Sequence, residues 1–357
     1  METHHVVDVP YRQQHQVEDA LERFLELAKT QAVSFGGAGY LRLWETIERS
    51  MAGGKRFRPR MVMTAYEALG GEDIVAAAHV AAAYELLHTA LIVHDDVIDR
   101  DFVRRGSPNV SGSYRDIAQT AGIPLPLAEH RGMSVAVIAG DLALSASYRL
   151  IDRAGSADSV RTRLREILDD AISASAAGEL ADVDFTVGGV VPTVDDIIRM
   201  ERLKTAYYSF EAPLQSGGVL AGAPEATIDA LGAFGQQIGI AYQIIDDVLG
   251  VFGDSKTTGK TTIGDLREGK LTVMVAFAAE QPEWHAVEHL FGDPDLDEEG
   301  AAVLREVLMT TGARQHATLL AGDYANRAWE QLASPSIPAQ LRDELRPIVA
   351  TVLERSR

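Results

Sequence analysis

The chain has 357 residues, 46% of them hydrophobic, enough to bury one large core or two modest ones. Its 52 acidic against 33 basic residues give a formal net charge of -19, which repels nucleic-acid phosphates and anionic membrane surfaces and so excludes DNA and RNA as expected partners. The absence of cysteine excludes disulfides, thiolate metal sites and a cysteine nucleophile, and it fits a reducing cytoplasm. The polar start METHHVVDVPYRQQHQ has no charged-then-apolar signal pattern. Residues 1–13 are therefore expected to form a flexible tail ahead of a single domain over 14–357, in a soluble cytoplasmic protein.

Apolar residues recur at helical spacing along nearly the whole chain, and alternating β-branched runs are almost absent, which predicts an all-α fold. In chain order the predicted helices span 14–34, 39–52, 57–69, 72–100, 113–121, 133–153, 158–184, 194–208, 210–221, 225–253, 271–279, 284–291, 298–330 and 337–355. The most apolar stretch, Ile74 to Val93, is interrupted by His79, Glu85, His88 and Thr89, so it reads as a buried helix and predicts no integral membrane segment. A flexible loop is expected near 120–134, where Gly122-Ile-Pro-Leu-Pro126 breaks the pattern. None of the breaks is long enough for an interdomain linker.

Two aspartate clusters sit on these apolar helices: Asp95, Asp96 and Asp99 in HDDVID, and Asp246 and Asp247 in QIIDDVLG. A solvated helix end would also carry Asp-Asp-x-x-Asp, but Leu86, Leu87, Leu91, Ile92, Val93, Val97 and Ile98 make the first helix apolar almost all round. Buried carboxylates with no partner take up protons, so the clusters point to divalent cations held in a shared cavity. Asp95 and Asp99 share a helix face, with His88 two turns earlier. Gln243, Asp246, Asp247 and Gly250 follow helical spacing in the second cluster.

Cations accompany both clusters. Arg104-Arg105-Gly106 follows the first, and GGKRFRPR packs Lys55, Arg56, Arg58 and Arg60 into six residues. Acids beside arginines suit a magnesium-bound polyphosphate better than calcium, although a basic loop balancing nearby acids would look the same. Lys55 and Arg58 at a helix start could grip an anion with free backbone N–H groups. Beyond the second cluster Lys256, Lys260, Arg267 and Lys270 read as an anion lid. A P-loop is excluded there, because the Gly253 to Gly259 spacing is one residue too long and follows a helix. Lys204-Thr205 lies on a separate helix, and the Asn109 sequon carries no weight without a secretory signal.

In order, GGKRFRPR, LLHTALIVHDDVID, RRG, Gly140-Asp141, Lys204-Thr205, QIIDD and TGK…REGK resemble the polyprenyl (isoprenyl diphosphate) synthases over about residues 50–275, most of all bacterial geranylgeranyl diphosphate synthases. The resemblance implies a single-domain helical bundle around a deep central cavity, a homodimer, and condensation of isopentenyl diphosphate with an allylic diphosphate. It implies Mg2+, three ions per active site, with Asp95, Asp99 and Asp246 as ligands and Asp96 and Asp247 in support. It also implies that Arg104, Lys204 and Lys260 hold the allylic diphosphate and that Lys55, Arg58, His88 and Arg105 hold isopentenyl diphosphate, with Lys270 a further diphosphate contact. Thr205 and Gln243 would stabilise the cation.

Two departures stand out. Gly250 replaces a third aspartate common in the family, for which Asp254 is a candidate substitute, and the stretch from Arg115 to Val135 looks longer than usual. Ala90, about 7.5 Å along the helix from Asp95, leaves room for a growing chain, with Leu86, Leu87 and Ala83 in the next turns and Tyr148 as a floor. A C20 product is expected, with C25 or longer as the alternative. A class I terpene cyclase would have no use for Lys55, Arg58 and His88, and a noncatalytic synthase subunit would commonly lack one aspartate motif.

Overall fold

The computed structural model describes residues 13–53, 56–189, 191–253 and 262–355. Lys55, Asp254, Lys256 and Lys260, all singled out above, and all but the last residue of the expected tail lie outside these described residues. The chain divides into two compact units: one ends at Leu168 and takes in Pro213–Ala223, and the other comprises Asp169–Ala212 and the chain from Pro224 onward.

In the first unit α1 (Gln14–Ser50), α2 (Phe57–Ala68), α3 (Ile74–Ile98), α4 (Val110–Thr120) and α5 (Leu125–Arg153) surround α3. The helix α1 is two segments meeting at Gly37, whose φ of 61° only glycine adopts cheaply, as the predicted break between 34 and 39 requires. Asp73 caps α3 by accepting from the Ala76 N–H at 3.0 Å. The first half of α3 buries Ala76, Ala77, Ala78, Ala81, Ala82 and Ala83, small side chains that let α1, α2 and α5 approach closely. Larger residues follow, and the buried Tyr84 hydroxyl is satisfied by Ser216 Oγ at 2.7 Å.

The flexible loop expected over 120–134 is instead mostly helix, since α5 begins at Leu125. Pro124 and Pro126 would break a helix from within, yet proline in a first turn costs no hydrogen bond because those N–H groups have no helical partner. Both α3 and α5 are long and apolar enough to cross a membrane, but they pack on each other within the unit, and α3 is mostly buried. Asn109 caps α4 through Gly112 N–H at 2.8 Å and donates to Asp101 O at 2.9 Å, a structural use for the sequon residue.

The helix α6 (Asp158–Val187) runs from the first unit into the second, where α7 (Val194–Glu201), a π-helix (Arg202–Glu211) and the start of α8 (Ala212–Leu220) form one continuous helical run. A break was expected near 209, but the run goes through it. Thr193 and Asp196 form a capping box at the start of α7. The helix α9 (Glu225–Phe252) packs on the π-helix. Three glycines let α6 and α9 approach the π-helix closely: a Cβ on Gly178 of α6 would strike the Lys204 backbone, and Cβ atoms on Gly235 and Gly239 of α9 would strike Glu211 and Ala206.

The unit continues with α10 (Val273–Ala279), α11 (Glu298–Thr310), α12 (Ala313–Leu332) and α13 (Ala339–Arg355). The single helix expected over 298–330 is split at Gly312, with φ of 81°, and that over 284–291 is only two short turns, Pro282–His285 and Glu288–Leu290. Among the described residues the one sheet is an antiparallel pair, Val103–Arg104 with Ser107–Pro108.

Glu211, where the π-helix ends, has its carboxyl raised to about 7 by burial, with Arg202 opposing. The folded chain thus binds more protons than the unfolded one between the unfolded value of 4.5 and about 7, so stability falls as pH rises through that window. Glu211→Gln is expected to flatten this fall and raise stability at pH 8 by about 1–3 kcal/mol, measured by urea unfolding at pH 5 and pH 8.

Candidate active site

The first acidic cluster ends α3, and the hairpin that follows folds back on it. Arg105 and Gly106, both at positive φ, form the turn that returns Arg104 to the helix end. Arg104 Nε donates to Asp96 Oδ1 at 2.8 Å, its Nη2 lies 2.6 Å from the same oxygen, and Asp95 Oδ2 is 3.4 Å away. Asp96 is 3% exposed and its carboxyl is raised to about 6 by burial, which Arg104 opposes. Asp95 stays half-buried and Asp99, the C-cap of α3, is exposed. The second aspartate is therefore the most firmly tied down, the first is half-buried and the third is exposed.

Upstream, the basic run at 55–60 divides its labour. Arg56 is 8% exposed and donates to Glu18 Oε1 (2.8 Å), Glu85 Oε1 (2.8 Å) and Met51 O (2.8 Å). The bland reading, a basic residue balancing nearby acids, holds for Arg56, whose side chain is spent inside the fold. Arg58, two residues on, bears on His88 electrostatically, as do Arg104 and Arg105. Burial, then Arg58, Arg104, Arg105 and Arg56, hold its imidazole well below the usual histidine range, so it is neutral at pH 7. Arg105 also donates to Ala52 O at 3.4 Å.

The open stripe of α3 carries His88, Leu91, Ile92 and Asp95, one helical face. Ala90, expected to line a cavity, is 0% exposed, as are Ala83, Leu86 and Leu87. Leu91 and Ile92 are the apolar side chains that stay open beside Asp95. Gly140 of the Gly140-Asp141 pair explains itself here: His94 lies over it, with Nε2 3.3 Å from Val137 O and 3.5 Å from Asp141 Oδ1, where any Cβ would collide.

The second cluster repeats the pattern in the second unit. Asp247 is 4% exposed and receives Lys270 Nζ at 2.8 Å and Gln243 Nε2 at 3.0 Å, while Asp246 is half-buried. Against desolvation, Asp247, Asp265 and Asp246 lift the Lys270 ammonium well above its ordinary value. Glu201, absent from the sequence-based site, is buried beside them. Burial first, then the Asp247 charge, raise its carboxyl well above the usual range. Because the Gln243 amide nitrogen is committed to Asp247, its carbonyl oxygen is left for other use.

Lys204 and Thr205 occupy the π-helix, a widened turn often found at functional sites. Lys204 Nζ lies 2.7 Å from Asp182 Oδ2 and 2.9 Å from Glu179 Oε2, both on α6. Those two acids were also missed. Their spacing of three residues on one helix face was the available signal, but it is common on any solvated helix.

Among the described residues no three carboxylates or imidazoles converge closely enough to hold a metal by themselves. An all-oxygen donor set offering one or two carboxylates at a time suits Mg2+, which completes its shell with substrate phosphates and water. Asp95, Asp99 and Asp246, the less buried carboxylates, fit that demand, each with a buried, cation-bound aspartate in its own cluster.

A family model described as polyprenyl synthetase matches residues 42–307. The chain is similar to geranylfarnesyl diphosphate synthase of Aeropyrum pernix, 33% identical over 309 residues that cover 85% of this chain and 91% of that protein. It is also similar to (2E,6E)-farnesyl diphosphate synthase of Mycobacterium bovis, 31% identical over 309 residues covering 85% and 80%. Among solved structures it is similar to geranylgeranyl pyrophosphate synthase from Corynebacterium glutamicum complexed with isoprenyl diphosphate and magnesium. That likeness has a TM-score of 0.88 and 29% identity, and it covers 96% of this chain and 98% of that one.

Proposed function

The chain belongs to the polyprenyl synthetase family, an all-α family of prenyl-transferring isoprenyl diphosphate synthases, and on that premise we propose that it makes geranylgeranyl diphosphate. The observation that carries a catalytic reading is the shared design of the two acidic clusters. In each, the second aspartate is buried against a cation, Arg104 or Lys270, and the first is only half-buried.

The reaction we propose is ionisation of an allylic diphosphate, addition of isopentenyl diphosphate to the resulting cation, and loss of a proton. Diphosphate leaves only if its growing charge is neutralised. Bound Mg2+, proposed as three ions, supplies Lewis-acid neutralisation of that charge. Asp95, Asp99 and Asp246 would hold the metal, with Asp96 and Asp247 behind them. Arg104, Lys204 and Lys260 would bind the allylic diphosphate, with Lys270 an additional contact. Lys55, Arg58, His88 and Arg105 would bind isopentenyl diphosphate, His88 as a neutral hydrogen-bond donor. The Gln243 carbonyl and Thr205 face a developing carbocation with partial negative charge and no nucleophile strong enough to trap it.

Residues 14–357 are proposed to act as one isoprenoid synthase domain, in a cytoplasmic homodimer. The C20 product is supported by the likeness to geranylgeranyl pyrophosphate synthase from Corynebacterium glutamicum, whereas Ala90, five residues before Asp95, is wholly buried. The relatives carry names of both shorter and longer products, so product size is the quantity to measure. Purified protein incubated with Mg2+, isopentenyl diphosphate and dimethylallyl, geranyl or farnesyl diphosphate is expected to yield a C20 diphosphate by mass spectrometry. A dominant product of C25 or more overturns the length, and no condensation with any primer overturns the function.

A further inference from the structure

We propose that Arg42, Arg49, Arg131 and Tyr114 of the first unit bind a small multivalent phosphoanion, at a site apart from the residues proposed for the two diphosphate substrates. Arg42, Thr46 and Arg49 follow one another at spacings of four and three and so share a face of α1. Thr46 Oγ1 ties the stripe together, donating to Arg42 O at 2.8 Å and accepting from Arg49 Nη2 at 2.7 Å. Helix α1 packs on α4, which carries Tyr114, and the charges of Arg42 and Arg49 bear on the Tyr114 hydroxyl. Arg131 of α5 joins them: its guanidinium lies 5.4 Å from the Tyr114 ring centre, and its Nη1 donates to Tyr114 O at 3.2 Å.

Two observations point to a ligand. The first is charge: Arg42, Arg49 and Arg131 are exposed, and none forms an ion pair with a described residue, in a chain with 52 acidic against 33 basic residues. Acids close in sequence are committed elsewhere or stand apart. Glu48 takes Lys29 at 3.0 Å, Asp116 takes Arg115 at 2.8 Å, and Glu45, one turn from both Arg42 and Arg49, pairs with neither. The second is Tyr114 itself, 6% exposed, whose buried hydroxyl has no hydrogen-bond partner among the described residues. Such a group is costly to leave unsatisfied. Burial raises its pKa against Arg42, Arg131, Thr46 and Arg49, so the phenol keeps its proton and can donate. An anion drawn among the guanidiniums relieves their mutual repulsion and gives the hydroxyl the acceptor it lacks. Forked guanidinium donors match phosphate oxygens, and a cluster of positive charges favours a multivalent phosphate over a single carboxylate.

The same chemistry is offered by a free phosphoanion and by a phospholipid headgroup, and the test has an arm for each. Binding of inorganic diphosphate to the full chain is measured by calorimetry in EDTA, which keeps Mg2+ from the aspartate clusters. The proteins are wild type, Arg42→Ala/Arg131→Ala, Tyr114→Phe and Arg58→Ala. Each is also sedimented with phosphatidylcholine vesicles with and without phosphatidic acid. Wild type is expected to bind with an affinity that falls as salt rises, and the double variant to bind about 10-fold or more weakly at an unchanged thermal midpoint. Tyr114→Phe should weaken binding without lowering the midpoint, because the hydroxyl it removes is unpaired. Arg58→Ala should bind as wild type does. Binding of soluble diphosphate that depends on Arg42 and Arg131 identifies a free anion, and cosedimentation with phosphatidic acid that depends on them identifies a headgroup; either supports the site. Binding of neither probe, or equal binding by wild type and the double variant, overturns it. Binding lost only in Arg58→Ala refutes this site and leaves the substrate site standing. A lower midpoint for Tyr114→Phe removes the tyrosine from it.

Discussion

Replacing Asp95 or Asp246 by asparagine is expected to lower kcat for condensation by about 10²–10³, the usual loss when one group that stabilises transition-state charge is removed. The thermal midpoint should move little, because both carboxylates are only half-buried. The companion substitutions Asp96→Asn and Asp247→Asn should behave differently. Each strips the charge from a buried acceptor of Arg104 or Lys270. Both cations keep 37% of their side-chain surface in solvent, so screening tempers the loss to about 1–3 kcal/mol of stability, visible in urea unfolding. If asparagine at the first and second positions of each pair produced the same balance of rate and stability loss, the division between open and anchored aspartates would be wrong.

The second large effect concerns Arg56 and Arg58, neighbours in the same basic run. Arg56→Ala is expected to cost about 3–5 kcal/mol, because it leaves buried Glu85 and the partly buried Glu18 without their cation. Arg58→Ala is expected to leave the unfolding free energy within about 1 kcal/mol while raising KM for isopentenyl diphosphate, as loss of a substrate-binding cation does. Equilibrium unfolding and steady-state kinetics on the two variants check this directly. Equal destabilisation by both would make the whole run structural.

The difference between these arginines also marks what the sequence could reveal. Helical periodicity and the aspartate clusters are local patterns, so α3, α9 and their acidic ends were legible in advance, and so was the break near Gly37. The partners of those acids come from remote segments. Arg56 reaches Glu18 and Glu85, Lys204 reaches Glu179 and Asp182, and Asp265 reaches Gly250, over separations that no residue pattern encodes. Local misreadings had local causes: prolines at 124 and 126 start a helix as readily as they end one, and Gly312 divides a stretch whose apolar spacing alone looked continuous.

The glycines around the π-helix extend this point to sequence change over time. Gly178, Gly235 and Gly239 carry no chemistry, yet a methyl group at any of them would push on the backbone that presents Lys204 and Thr205 or on the turn that follows. Helix propensity favours alanine over glycine by about 1 kcal/mol at such interior positions, so drift should replace them readily if stability alone were at stake. The acceptable alphabet at these three positions is instead set by the backbone of the adjoining π-helix, which carries Lys204, and a substitution there would register first as lost catalysis and only afterwards as altered folding.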